Sequence, residues 1–390
     1  MTVDQSSPRL RLVPMRPRDP AERGRTASNL ELFFDLVFVV AVSVASVQLH
    51  HWLTDGRVVD GILHYAVMFF AIWWAWMNFT WFATSFATDD WLYRLLTIVQ
   101  MGGVLVLAAG IEPAFNGDFA IAILAYVVMR VAMVVQWLRA SRRAGTARRA
   151  TLMYAVGIGV VQVLWLAQIV MPPQIATFTL LILIAAELAV PIIAERTGQT
   201  PWHPHHITER YGLFTLIVLG ESLLASANAI IEALHTGGDI GPLVGISVVA
   251  LVVTAGLWWI YFWPPHHTAI RGFRRSVFYG YGHYFIFAAA GAFSSGVETN
   301  IDVITGHSEL SAGQASFAVT IPVAIFVFGI WLLAMRPHGD RVVNTVVPVG
   351  AVLILADPLV PLPIVTTPLL LVAIVVVLVI RPPVEARKGR

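Results

Sequence analysis

The chain has 390 residues; 57% are hydrophobic, only 12% are charged, and the mean hydropathy is +0.75. It contains no cysteine, which excludes disulfides, thiolate metal sites and thiol chemistry. Its 25 basic residues against 23 acidic ones give a net charge of +2, and they gather in loops rather than on one soluble face, so nucleic acid is not the partner this charge indicates.

In chain order, a basic arm over 1–29 carries Arg9, Arg11, Arg16, Arg18, Arg23 and Arg25. It resembles the start of a signal peptide, but the apolar run after it is long for that role and lacks a small-x-small cleavage site, so it is expected to be retained. Apolar runs follow at 30–51, 61–84, 93–111, 117–138, 150–171 and 175–194. A His-rich linker occupies 195–207, and further runs lie at 208–232, 241–263, 276–297, 313–335, 341–357 and 365–381, before a basic tail over 382–390. Each run has roughly the 17–25 residues needed to cross a ~30 Å hydrocarbon layer. The predicted fold is an all-α polytopic membrane protein with about twelve transmembrane helices.

The loop charges set an orientation. Arg139, Arg142, Arg143, Arg148 and Arg149 lie between runs four and five, and Arg271, Arg274 and Arg275 between eight and nine. Arg336 and Arg341 lie between ten and eleven, and Arg381, Arg387, Lys388 and Arg390 close the chain. The positive-inside rule makes all of these cytoplasmic, puts both termini inside a bacterial cytoplasmic membrane, and leaves Arg57 as the basic residue of an outer loop.

The halves resemble each other. Trp73-Trp74 recurs as Trp258-Trp259 at an offset of 185, Gly110-Ile-Glu112 recurs as Gly296-Val-Glu298 at 186, and Glu31 at the mouth of run one recurs as Glu209 at 178. These marks predict two parallel six-helix repeats over 30–194 and 208–381. Parallel repeats of this kind occur in secondary transporters, with substrate sites between the halves.

Charged groups inside a bilayer are costly and usually face a bundle interior or a polar cavity. Glu31 and Asp35 are four apart, on one helical face. Glu209, Arg210 and Tyr211 stand at the mouth of run seven, and Glu221 lies twelve residues beyond Glu209 on roughly the same face, next to Gly220, which would admit a neighbouring helix. Run one and run seven are therefore expected to share one polar cavity lined by Glu31, Asp35, Glu209 and Glu221. Arg130 in run four and Glu187 in run six lie at matching depth and form a candidate buried ion pair that ties helices together. His283 and His64 are lone intramembrane histidines, for which hydrogen-bonded packing is the commoner role and a proton relay the rarer one. Asn78, Thr80 and Gln100 suit interhelical hydrogen bonds. Trp73 and Trp74 lie about twelve residues into run two, deep enough to line a cavity or the seam between the halves, or simply to pack. His50-His51, His203-Pro-His205-His206 and His266-His267 cluster in or near loops, but His206 and Glu209 supply only two ligands at firm spacing, so no metal site and no cofactor is expected.

The stretches Glu31-Leu-Phe-Phe-Asp35-Leu-Val-Phe-Val and Glu209-Arg-Tyr-Gly-Leu-Phe-Thr-Leu-Ile-Val-Leu-Gly-Glu221-Ser resemble the two signatures of the bacterial low temperature requirement protein A family. Tyr281-Gly-His283-Tyr and Gly296-Val-Glu298 are similar to its later motif, and the resemblance runs from about residue 27 to 380. It implies a role in growth at low temperature without a settled biochemical activity. The function expected is proton- or cation-coupled transport of a small molecule or ion. Its coupling and cavity residues would be Glu31, Asp35, Glu209, Arg210, Tyr211, Glu221, His283, Glu298, Trp73 and Trp258. A noncatalytic sensor or scaffold in cold or stress adaptation is a second reading, and an intramembrane lipid-modifying enzyme a third. Expected partners are membrane lipids and the unidentified solute, with self-association left open.

Overall fold

A backbone in hydrocarbon has to satisfy its N–H and C=O groups internally, and each apolar run accordingly folds as a helix. A computed structural model of the chain describes residues 12–236, 240–308, 310–360 and 365–384. Arg9, Arg11, Arg387, Lys388, Arg390 and most of the basic tail lie outside the described residues. The helices are α1 (Asn29–Thr54), α2 (Val58–Phe86), α3 (Trp91–Ala109), the short α4 (Ile111–Phe115), α5 (Ala120–Ser141), α6 (Arg148–Gln168) and α7 (Pro173–Thr197). They continue as α8 (Pro204–Thr236), α9 (Gly241–Phe262), α10 (Phe273–Thr305), α11 (Ala312–Ile330), α12 (Val343–Ala356) and α13 (Thr366–Ile380). Among the described residues there is no strand, and nine helices are long and apolar enough to cross a membrane. The segments Val343–Leu359 and Thr366–Ile380 are apolar but shorter. α10 is not among the nine, its glycines, tyrosines and His283 diluting an otherwise apolar stretch.

Local chemistry sets the helix ends. Asp90 caps α3 by accepting from the Tyr93 N–H, and Ser311 and Gln314 form a reciprocal capping box at the start of α11. The run predicted at 93–111 breaks at Gly110, where a Cβ would meet the backbone of Ala122 at 2.8 Å, so only glycine lets α3 close on α5 there. α11 passes into a π-helical turn at Trp331–Met335.

The chain forms two compact units. Unit 1 comprises Met1–Ala41 and Trp74–Arg210; unit 2 comprises Val42–Trp73 and Tyr211–Arg390. The divisions fall inside α1, α2 and α8, so the units are not the two sequence halves. In unit 1, α3, α5, α6 and α7 pack in succession against their chain neighbours. In unit 2, α10 and α11 make the most extensive pair, drawn together at Gly296, where a Cβ would fall 2.2 Å from the Ala318 carbonyl oxygen. α12 and α13 follow, and α9 packs on α13. The two tryptophan pairs differ in environment: Trp73 and Trp74 are buried, whereas Trp258 and Trp259 are 43% and 41% exposed. Gly220 is exposed with open space around it, and among the described residues no helix approaches it.

Candidate functional site

In unit 1 the four-residue spacing that aligns Glu31 with Asp35 on α1 meets the same spacing on α8, which aligns His206 with Arg210. Arg210 forks onto Asp35, donating from Nε to Oδ2 at 2.7 Å and from Nη2 to Oδ1 at 2.5 Å. The geometry is bidentate, the arrangement a planar guanidinium suits best. Trp76 donates its indole N–H to the same Oδ1 at 2.6 Å. Glu31 stands 3.3 Å from both Arg210 Nη1 and His206 Nε2, and its other oxygen accepts from the Ser28 N–H and hydroxyl, each at 2.8 Å. The Phe79 ring lies under the guanidinium, 6.0 Å away. Every charged member is buried.

A second group in unit 1 centres on Glu187 of α7. Its carboxylate accepts from Arg130 Nη2 at 3.0 Å, Trp74 Nε1 at 2.8 Å, Gln162 Nε2 at 2.9 Å and Trp165 Nε1 at 3.3 Å. Four donors from α2, α5 and α6 hold one buried anion, which ties these helices to α7. A third pair lies at the end of α5: Arg139 binds Asp90, with one contact at 2.9 Å, and Asp90 also accepts from the N–H groups of Tyr93 and Val13. Burial pushes the Asp90 carboxyl up, and these donors more than reverse it, holding the group below its ordinary value.

Unit 2 gathers carboxylates differently. Ser43 of α1 donates to Glu221 of α8 at 2.6 Å. One face of α1 then pairs along one face of α10. Ser46 donates to the Gly291 carbonyl at 3.0 Å, Ser295 donates to the Ser46 carbonyl at 2.7 Å, and Thr54 donates to Asp302 at 3.3 Å. His50 sits between two carboxylates, with Nε2 2.7 Å from Asp302 Oδ2 and Nδ1 3.2 Å from Glu298 Oε2. Glu298 also feels the charges of Glu221 and Asp302. Among the described residues no arginine or lysine pairs with Glu221, Glu298 or Asp302, and no group of three His, Asp or Glu side chains could hold a metal ion.

His283 belongs to a separate aromatic group of unit 2. Its Nδ1 lies 2.8 Å from the Tyr279 carbonyl and its Nε2 3.3 Å from the Tyr261 hydroxyl, and Tyr211 abuts it edge-on at 4.9 Å. His266, in the turn before α10, lies 2.6 Å from the Tyr261 carbonyl and 3.1 Å from the Tyr279 hydroxyl. Burial pulls the His266 imidazole down to about 4, so it stands neutral among these hydroxyls.

The predicted site residues thus sort into distinct groups. Glu31, Asp35 and Arg210 are brought together in unit 1, as are Arg130 and Glu187. Glu221 and Glu298 are brought together in unit 2, and Tyr211 meets His283. Glu209 is half-buried and, among the described residues, takes no ion-pair partner. Glu221 takes Ser43 as its partner, whereas Glu31 and Asp35 take Arg210. Trp73 packs edge-on against Tyr281 at 6.3 Å, while Trp258 lies on the exterior. Sequence reasoning overlooked His206 as an ion partner, His50 as a bridge, and Asp302. The signal for Asp302 was its four-residue spacing from Glu298; the signal for His206 was the same spacing from Arg210.

Residues 26–380 match the bacterial low temperature requirement A protein family. The chain is also 30% identical over 246 residues to an uncharacterized protein of Rhizobium meliloti (strain 1021), an alignment that covers 60% of this chain and 58% of that one. The chain therefore belongs to the bacterial low temperature requirement A family, as its signature motifs indicate.

Proposed function

We propose that this multi-pass member of the low temperature requirement A family is a proton- or cation-coupled transporter of a small molecule or ion in the bacterial cytoplasmic membrane. The reading includes twelve spans in two parallel six-helix repeats, with both termini cytoplasmic. The observation that carries it is the polar group of unit 2. Glu221, Glu298 and Asp302 have hydroxyls and an imidazole as partners in place of a fixed cation. A coupling acid has to exchange a proton or ion between states, which a carboxylate clamped by arginine resists and one held by a hydroxyl permits. Glu221 is the coupling residue in this reading, and Ser43 its orienting partner. The loop histidine His203 is buried, with its ring 2.9 Å from the Glu22 carbonyl, which favours a structural role for it over one in lipid chemistry.

The test is proton movement in proteoliposomes containing the full chain and an internal pH-sensitive dye. A pH gradient is imposed, and Na+, K+ and mixed amino acids are added in turn. Solute-dependent collapse of the gradient that disappears in Glu221→Gln supports the reading. Equal signals in wild type and Glu221→Gln, or none above protein-free vesicles, overturn it.

A further inference from the structure

His50 has a carboxylate oxygen at each ring nitrogen: Asp302 Oδ2 at 2.7 Å from Nε2 and Glu298 Oε2 at 3.2 Å from Nδ1. A neutral imidazole carries one N–H and one bare lone pair, so it can donate to only one of these oxygens. The Nδ1–Glu298 contact is an ion-pair distance rather than an aligned hydrogen bond, and around a neutral ring it would leave two carboxylate charges close together with no cation between them. Two arrangements relieve this: an imidazolium standing between the two carboxylates, or a neutral imidazole accepting from a protonated carboxyl. Both contain the same number of protons, one more than neutral histidine with two carboxylates.

We infer that His50, Glu298 and Asp302 form a proton-binding site, in which one additional proton is held among the three groups. Charge arithmetic agrees. Two carboxylates with a neutral histidine carry −2, and the shared proton reduces this to −1 in a group that no arginine or lysine neutralises among the described residues. The other titratable groups facing the trio are Glu221, which acts on Glu298; His307, which acts on Asp302; and His51, whose ring lies 5.3 Å from that of His50. The site is reachable for exchange: the His50 side chain is 13% exposed and those of Glu298 and Asp302 are 21% and 23% exposed. It is also positioned to serve Glu221, since Glu298 feels the Glu221 charge. The proton site rests on the geometry of the trio; its service to coupling rests on the transporter reading above.

The experiment uses the full chain in detergent, labelled with 15N-histidine, at neutral pH. His50 signals are identified by their loss in His50→Gln. The expected result is an imidazolium pattern for His50, or an infrared carbonyl band of a protonated carboxyl that vanishes in Glu298→Gln or Asp302→Asn. A neutral His50 with no such band overturns the inference. Asp302→Asn and Glu298→Gln nearly preserve side-chain shape, and melting curves identify any variant that misfolds, in which case the wild-type spectra alone decide. The same variants are then taken into the proteoliposome assay. A protonated trio with undiminished flux in His50→Gln leaves the proton site standing and removes its coupling role. Flux without a protonated trio overturns the site and leaves the transporter reading intact.

Discussion

Asp35 and Glu221 are both acidic residues within helices that read as membrane-spanning, yet their surroundings are opposite. Asp35, in unit 1, is fully buried and receives three short hydrogen bonds, two from a guanidinium and one from an indole. Glu221, in unit 2, is half-buried and accepts from a serine hydroxyl. Glu187 repeats the first pattern with Arg130, and Glu298 and Asp302 repeat the second with His50. A carboxylate locked to arginine in a dry bundle keeps one charge state and ties helices together. A carboxylate beside hydroxyls and imidazole keeps the freedom to change state. The arginine-bound group of unit 1 therefore reads as a fixed frame, and the Glu221, Glu298 and Asp302 group of unit 2 is the one the transporter reading takes as free to change state.

The strongest way to break this comparison is Arg210→Ala. It leaves Asp35 and Glu31 as buried anions without their guanidinium, and removing one partner of a buried pair costs about 3–5 kcal/mol. The variant should yield little folded protein, measured by monodispersity in detergent and by melting temperature. A well-folded Arg210→Ala protein would show that the unit 1 group is not a frame. Arg130→Ala tests the same idea at Glu187. Here Trp74, Gln162 and Trp165 remain as donors, so its cost should fall at the lower end of that range. The double variant Arg130→Ala with Glu187→Ala should be less damaged than Arg130→Ala alone, because no unpaired anion is left. Equal damage in single and double variants would argue that the pair contributes packing rather than charge compensation.

A milder test uses pH. Asp90 lies in the turn before α3, outside the apolar core of that helix, and its carboxyl is held below the ordinary value by Arg139 and two backbone N–H groups. A group with a depressed folded-state pKa contributes stability above its unfolded value, about 3.9, and loses it as pH falls through the folded value. Wild type should therefore lose stability on acidification below about pH 4 in a way that Asp90→Asn does not. Asparagine retains the helix cap but leaves the buried Arg139 guanidinium without its counter-charge, so at neutral pH the variant should cost about 3 kcal/mol. Identical acid-melting profiles for the two proteins would remove Asp90 from the set of fixed anions.

Much of this arrangement is legible in the sequence. Helical runs follow from hydropathy, and the pairing of Glu31 with Asp35 and of Arg130 with Glu187 follows from helical spacing and depth. The division of the carboxylates was not legible, because it depends on which helix faces which. The four-residue spacing put Arg210 on the face of His206, but nothing in spacing said that Asp35 rather than Glu209 would receive the guanidinium. The hairpin residues 42–73 group with unit 2, so α1 contributes Asp35 to one unit and His50 to the other, a split that periodicity within one helix cannot reveal. The break at Gly110 was equally hidden: it answers to the backbone of Ala122, a contact across helices.

The sharpest form of the comparison is one chemical change made in both places. Asp35→Asn and Glu221→Gln each exchange a carboxylate oxygen for an amide nitrogen. At Asp35 the change removes half of a bidentate pair and sets an amide N–H against a guanidinium, so the buried arginine is left with Glu31 alone as counter-charge and destabilisation of several kcal/mol follows. At Glu221 the amide oxygen can still accept from Ser43, and no fixed cation is left unpaired, so the stability change should stay within about 0.5 kcal/mol. Ser43→Ala should likewise cost about 1 kcal/mol, the net worth of one ordinary hydrogen bond. Function should run the other way: Glu221→Gln melts like wild type but fails to move protons in vesicles and fails to restore growth at low temperature in a strain lacking the protein. A Glu221→Gln protein as unstable as Asp35→Asn would place Glu221 in the frame with the arginine-bound acids and leave the transporter reading without its proposed coupling residue.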